Sequence, residues 1–233
     1  MAQPPATNEA FLREVDDELR RDQLVAAWRR WGRLGVAAVL IALALFGGWL
    51  WWRNHAEQTA GVEGEQLQAA YDQITAGQTS QASAALTGLA GSRRDGYRAL
   101  AALAQADLLL QKNDAKGAAA RFAAVAADGS LGQPFRDLAL IRQTTIEFDG
   151  LPPQTVIERL RPLAVAGNPW FGTAGELTAI AYLRQNRRDL AGRMFGQIAR
   201  TDGVPASLRQ RAVQMASMMG VDAAPSPGVT PRP

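Results

Sequence analysis

Catalytic and metal sites are mostly assembled from histidine, cysteine and clustered carboxylates, and this sequence offers few of them. It has no cysteine and one histidine, His55. That removes thiol nucleophiles and any multi-histidine metal centre. No G-x-S-x-G, no H-E-x-x-H and no phosphate-binding glycine-rich loop occurs. The 22 acidic residues are scattered and suit solvated helix faces. Arg93-Arg94 and Arg187-Arg188 fall at predicted turns, where surface charge is expected. No catalytic residue, cofactor or metal is expected, so an enzyme is the least favoured class. The chemistry that remains is recognition of other molecules. A net charge of +3 is too small an excess to argue for nucleic acid.

What would present such a surface? The dominant stretch is Leu34 to Trp52, LGVAAVLIALALFGGWLWW, which carries no charge and has Arg33 and Arg53 on its flanks. As a helix it spans roughly 28 Å, close to the ~30 Å hydrocarbon core of a bilayer. A cleaved signal sequence fits less well. Signal cores run about 7–15 residues and end at a small-residue cleavage site, whereas this run is longer and ends in Trp49, Trp51 and Trp52. Arg29-Arg30, read as a twin-arginine export signal, meets the same objection. A buried core helix of a soluble protein would show a polar stripe, and this run has none. The tryptophans suit an interfacial belt. Arg20, Arg21, Arg29, Arg30 and Arg33 precede the run and only Arg53 follows closely. By the positive-inside rule the N-terminus is expected in the cytoplasm, with the rest outside the cytoplasmic membrane.

Residues 1–10 are weakly apolar and Pro-bearing, and are expected to be disordered. Residues 11–33 read as a juxtamembrane helix: Phe11, Val15 and Leu19 recur at helical spacing, with Asp16, Asp17, Glu18, Arg20 and Arg21 on the other faces. It suits either a solvated face or a docking face for a membrane partner, and its arginines suit anionic lipid. Within the span, Ala44-x-x-x-Gly48 is a small-xxx-small spacing of weak specificity. Residues 220–233, with four prolines, read as a disordered tail.

Residues 53–219 are expected to form one exported all-α domain. Glycine, asparagine and proline break it at Gly77, Gly91, Asn113-Asp114, Gly129, Gly150, Gly167-Asn168-Pro169, Asn186 and Gly203. Nine helices are predicted, near 57–76, 79–90, 94–111, 114–127, 133–148, 153–165, 169–185, 188–200 and 205–219, with Asn168 as an N-cap and Pro169 at the next position. With no cysteine, such a domain must hold together by apolar packing alone.

A repeat runs through these helices. Leu86, Phe122, Leu160 and Phe195 recur at separations of 36, 38 and 35. Ala82, Ala118 and Ala191 stand four residues before three of them, and Ala70, Ala106 and Ala179 stand twelve residues earlier again. Leu89, Val125, Leu163 and Ile198 follow the anchors by three. Antiparallel helices pack closely only where both present a small residue, and a large neighbour then fills the space beside the crossing. One pair cannot cover its own apolar face, so pairs stack.

This pattern resembles the tetratricopeptide (TPR) repeat. Tyr182 matches the family's aromatic in the first helix, and Asn113 and Asn186 fall in its intra-repeat turn. The third unit departs from it: Val156 replaces the alanine, the loop is longer and Pro162 interrupts the second helix. About four repeats are expected, with the ninth helix as a cap. The layout as a whole resembles the bacterial TPR-like family of ancillary SecYEG translocon subunits, to which FLREVDDELRRDQLVAAWRRW (11–31) is similar. That resemblance implies a single-pass inner-membrane protein with a periplasmic domain. Its implied partners are the SecYEG translocon, periplasmic chaperones or client polypeptides, and membrane lipid.

Such solenoids bind on a concave surface built from the first helix of each pair. In this register Leu103, Asp107, Leu110 and Gln111 face it in the second repeat, and Glu176, Ile180, Leu183 and Arg184 in the fourth. The apolar members equally suit packing between repeats. A mixed apolar and charged groove suits peptide segments of partners. The leading expectation is an anchored adaptor at the secretion channel. The alternative is an anchored scaffold for envelope assembly, such as cell-wall synthesis, division or cytochrome maturation.

Overall fold

Six alanines set where the helices cross. Ala70, Ala106 and Ala179 on the first helices of their pairs, and Ala82, Ala118 and Ala191 on the second, all have zero exposure. The anchors beside them, Leu86, Phe122, Leu160 and Phe195, are buried too, as are Leu89, Val125, Leu163 and Ile198. At about 1.5–3 kcal/mol for each large aliphatic or aromatic side chain taken from water, these anchors are the main apolar contribution of each pair.

The computed structural model describes residues 7–223, with side chains at residues 32, 34–55, 58 and 60–223. The expected disorder of residues 1–6 and 224–233, and the side chains of the expected docking face between residues 11 and 31, lie outside this. Among the described residues there are nine helices and no strand: α1 (Thr7–Thr75), α2 (Thr79–Leu89), α3 (Asp95–Gln111), α4 (Ala115–Ala127), α5 (Gln133–Glu147), α6 (Pro153–Leu160), α7 (Phe171–Arg184), α8 (Arg188–Arg200) and α9 (Ala206–Met218). The chain divides into two units, residues up to Val62 and residues from Glu63.

In the first unit, α1 carries the one stretch among the described residues that is long and apolar enough to cross a membrane, starting at Leu34. Its side chains are exposed throughout, Leu45 and Trp51 at 70%. A Cβ added at Gly47 or Gly48 would meet nothing. At the end of the stretch, Trp51 stacks on His55 with 5.6 Å between ring centroids, and Arg53 lies 5.8 Å from the Trp49 ring centroid. The separate helices expected over 11–33, 34–52 and 57–76 are one helix. No proline lies between Thr7 and Thr75, so nothing removes a backbone donor along the way.

The second unit starts at Glu63. Glu63 accepts hydrogen bonds from Ser92 Oγ at 2.9 Å and Arg94 Nη1 at 3.1 Å. That fixes the end of α1 to the α2–α3 turn. Four buried clusters follow in order, each at the meeting of a pair with the next first helix. Leu86 centres the α1–α2–α3 cluster and Phe122 the α3–α4–α5 cluster. Leu160 centres the α5–α6–α7 cluster and Phe195 the α7–α8–α9 cluster.

The turns explain the spacing. Asn113 and Asn186 adopt left-handed φ of 61° and 58°. Asp114 N then donates to Leu109 O, and Arg187 N to Tyr182 O, each at 2.9 Å. Asp114 caps α4 by accepting from Gly117 N at 2.8 Å. Two details differ from the sequence expectation. Asn168 is not the N-cap of α7: its side chain accepts from Trp170 N at 2.8 Å in a turn that delays the helix to Phe171. α6 stops at Leu160, since Pro162 has no N–H to continue it. The third pair also fills its crossing differently. Thr144 occupies the small-residue position of α5, wholly buried, and its hydroxyl donates to Leu140 O at 2.7 Å. Val156, equally buried, faces it from α6. Packing continues past the expected boundary at 219, because Ala223 is 1% exposed against the last cluster.

Replacing Ala118 by Leu forces extra volume into a closed crossing and is expected to cost about 1–3 kcal/mol. Phe122→Ala is expected to cost about 3–5 kcal/mol. Urea unfolding in detergent micelles, followed by far-UV circular dichroism, checks both. A neutral Ala118→Leu would contradict close approach at the crossing.

Candidate protein-binding groove

Three first helices bound a concavity of about 390 Å3. α1 contributes Tyr71 and Ile74, α3 contributes Ala104, Asp107, Leu110 and Gln111, and α5 contributes Arg142. Repetition alone brings these together: Tyr71 and Ile74 hold the places on α1 that Asp107 and Leu110 hold on α3. Ile74, Ala104 and Leu110 make an apolar floor, and Asp107 forms an ion pair with Arg142, 35 residues later. The Arg142 guanidinium also lies 5.4 Å from the ring centroid of the buried anchor Phe122. Charge at the groove therefore rests directly on the core. Partial burial, and secondarily the Asp107 carboxylate, raise the Tyr71 pKa above its ordinary value.

A second ion pair joins first helices farther along. Arg211 of α9 holds Glu176 of α7 through two bonds of 2.5 and 2.7 Å, again across 35 residues. Glu176 in turn raises the Arg211 pKa, by hydrogen bonding first and charge second.

A family model for the tetratricopeptide repeat-like domain matches residues 26–215. The chain belongs to the tetratricopeptide repeat-like family. Comparison with curated proteins and with solved structures gave no match. Repeat domains of this kind are typically non-enzymatic scaffolds for protein–protein contact, and among the described residues no three or more metal-ligating side chains cluster.

The TPR-like geometry sorts the eight residues picked from sequence. Asp107, Leu110 and Gln111 line the concavity together. Leu103 does not: it is 7% exposed and packs around Phe122. In the fourth repeat, Glu176 is held by Arg211, while Ile180 and Leu183 pack on the last cluster. Arg184 closes the end of another helix. It donates to Phe148 O at 2.6 Å and Asp149 O at 3.4 Å, with its guanidinium 5.3 Å from the Phe148 ring centroid. A cation on carbonyls that end a helix is favourable. Three of the eight residues thus cluster on α3, Leu103 packs inward from the same helix, and the four on α7 are dispersed. Tyr71, Ile74, Arg142 and Arg211 were missed. For Tyr71 and Ile74, stepping the second-repeat positions back by one period finds them. The two arginines answer to the opposite charge one period earlier.

Tyr71 ionisation reports on this groove. Replacing Asp107 by Asn is expected to bring the Tyr71 pKa part of the way back toward ~10, because burial remains the larger cause. Ultraviolet titration with Tyr71→Phe as the difference control reads it. The raised pKa contributes stability that is present below ~10 and lost as pH rises through the folded-state value. Tyr71→Phe is expected to abolish that part of the alkaline destabilisation.

Proposed function

We propose that this TPR-like protein is a membrane-anchored adaptor, with α1 as its single-pass anchor and the α1–α3–α5 concavity as a seat for segments of other polypeptides. In this reading the anchor lies in a bacterial inner membrane, the N-terminus is cytoplasmic and the repeats are periplasmic. The membrane partner is the SecYEG translocon, and the groove passes emerging chains to periplasmic chaperones. The observation that supports it best is the pairing of two features in one chain. One is an apolar helix exposed along its whole run from Leu34 to Trp52; the other is a groove with an apolar floor and an Asp107–Arg142 rim. Amphipathic or extended peptide segments suit such a rim and floor. Partner identity rests on the resemblance of residues 11–31 and of the layout to ancillary translocon subunits.

Three measurements test this. The channel is expected to co-purify with the full-length protein in mild detergent, and exchanging residues 11–52 for an unrelated anchor is expected to abolish that. Retention of the same partners after the exchange would favour an envelope scaffold driven by the groove. Leu110→Glu is expected to reduce crosslinking to client chains several-fold while leaving channel association intact. Protease added to intact spheroplasts is expected to digest the repeats and spare the N-terminus; the opposite pattern would reverse the topology.

A further inference from the structure

The chain has five methionines and no cysteine. Apart from Met1, all of its sulfur lies in the last layer: Met194 on α8, Met215 and Met218 on α9, and Met219 directly after it. Three of these are half-buried. Met194, Met215 and Met219 pack against the cluster of Phe195, Ile198, Val204 and Ala216. The Met194 sulfur reaches α7, where a Cβ on Gly175 would stand 3.4 Å from it. Met219 lies against α8, with its Cβ 3.2 Å from a Cβ built on Gly192. These three side chains therefore fill the seams that join α7, α8 and α9. Met218 is different, at 80% exposed.

The same seam holds the end of the chain. Gly220 takes a left-handed φ of 75° and Val221 N donates to Ala216 O at 3.0 Å, which turns the segment after α9 back onto α8. Val221 settles on two glycines. A Cβ on Gly192 would stand 2.8 Å from Val221 Cγ2, and one on Gly196 would stand 3.2 Å from Cγ1. Arg200 donates to Asp222 O at 3.1 Å, and Ala223 is 1% exposed. The polar ties of α9 itself are at the surface: Arg211 to Glu176, and Arg209 to Asp202 O at 3.0 Å. Exposed ties of this kind add little, so apolar contact carries most of the hold on α9 and the segment behind it.

Half-burial is the condition in which a thioether is both reachable and consequential. A fully buried sulfur is shielded from a dissolved oxidant, and a fully exposed one gains oxygen without disturbing any packing. We infer that Met194, Met215 and Met219 form a modification site for hydrogen peroxide, and that their oxidation to sulfoxide releases α9 and residues 219–223 from α8. In each step the sulfur lone pair attacks one peroxide oxygen. The S–O bond forms as the O–O bond breaks, and sulfur loses two electrons to the peroxide. The departing hydroxide takes up the proton of the transferred oxygen and leaves as water. The product is a polar acceptor in place of an apolar thioether. Phe195, Ile198, Val204 and Val221, which share the seam, offer it no donor. An unpaired acceptor held there is costly, and water satisfies it once the layer opens. Each layer rests only on its neighbours, so the opening stays at this end. The clusters around Leu86 and Phe122 hold no sulfur, and the α1–α3–α5 concavity persists whatever it binds.

The test treats the full-length protein, in peroxide-free detergent micelles, with hydrogen peroxide and follows amide hydrogen exchange by mass spectrometry. Peptide mapping is expected to find one added oxygen on each of Met194, Met215, Met218 and Met219. Exchange over α9 and residues 219–223 is expected to rise about tenfold or more, with α2, α3 and α4 unchanged. Met218→Leu is expected to respond as the wild type does. The triple variant Met194→Leu, Met215→Leu, Met219→Leu is expected to gain oxygen at Met218 alone and to show no rise in exchange; leucine for methionine is among the best tolerated core exchanges. The wild-type chain gives the same answer without a variant: treatment with both epimer-specific methionine sulfoxide reductases is expected to restore slow exchange. The inference is overturned if the three half-buried sulfurs stay unoxidised while Met218 reacts, or if all three are oxidised and exchange does not change. It is equally overturned if Met218→Leu abolishes the response, if the triple variant keeps it, or if exchange rises as much in α2–α4 as in α9.

Discussion

Close approach of antiparallel helices is the constraint on which the rest of this structure depends. Two helices approach closely only where neither presents a bulky side chain, and here that place is taken by wholly buried alanines. Once the backbones are close, the neighbouring anchor has one cavity to fill, and Leu86, Phe122, Leu160 and Phe195 fill it. Each buried cluster then needs the next first helix as its lid. The result is a one-dimensional stack in which stability is local and each layer depends on its neighbours.

That arrangement governs where charge can stand. Asp107–Arg142 and Glu176–Arg211 link successive first helices, because residues about one repeat apart meet across adjacent layers. These pairs are partly exposed, so their worth as stabilisers is modest. They shape the surface more than they hold it: the first has an apolar floor beside it and an aromatic ring beneath its arginine. Arg184 shows the other use of a cation between layers, satisfying carbonyls at the end of α5.

The stack is not uniform, and its irregularities follow from single residues. In the third pair Thr144 and Val156 replace the alanines at the crossing, and Pro162 cuts α6 short. Thr144 is tolerated there because its hydroxyl bonds back to the preceding turn. At the far end the last pair has no further pair to cover it. α9 and the segment through Ala223 do so instead, using Gly192 and Gly196 as the receiving surface.

Local chemistry let the sequence determine much of this. Asparagine at 113 and 186, glycine at 77, and the proline breaks placed the helix ends, since left-handed turns and missing donors act within a few residues. The alanine and anchor spacing determined which faces are buried, because small-on-small crossing leaves a periodic mark. The exposed apolar run of α1 was equally plain, as no charge interrupts it. What depends on the neighbouring layer was decided only by tertiary structure. Leu103 and Leu110 lie two turns apart on α3, yet one is sealed around Phe122 and the other lines the groove. Arg184 reads as a groove residue until α5 is seen to end beneath it. Val221 reads as the start of a tail until Gly192 and Gly196 are seen to lack the side chains that would push it away. Such outcomes turn on distances between residues far apart in the chain, which periodicity within a single helix does not encode.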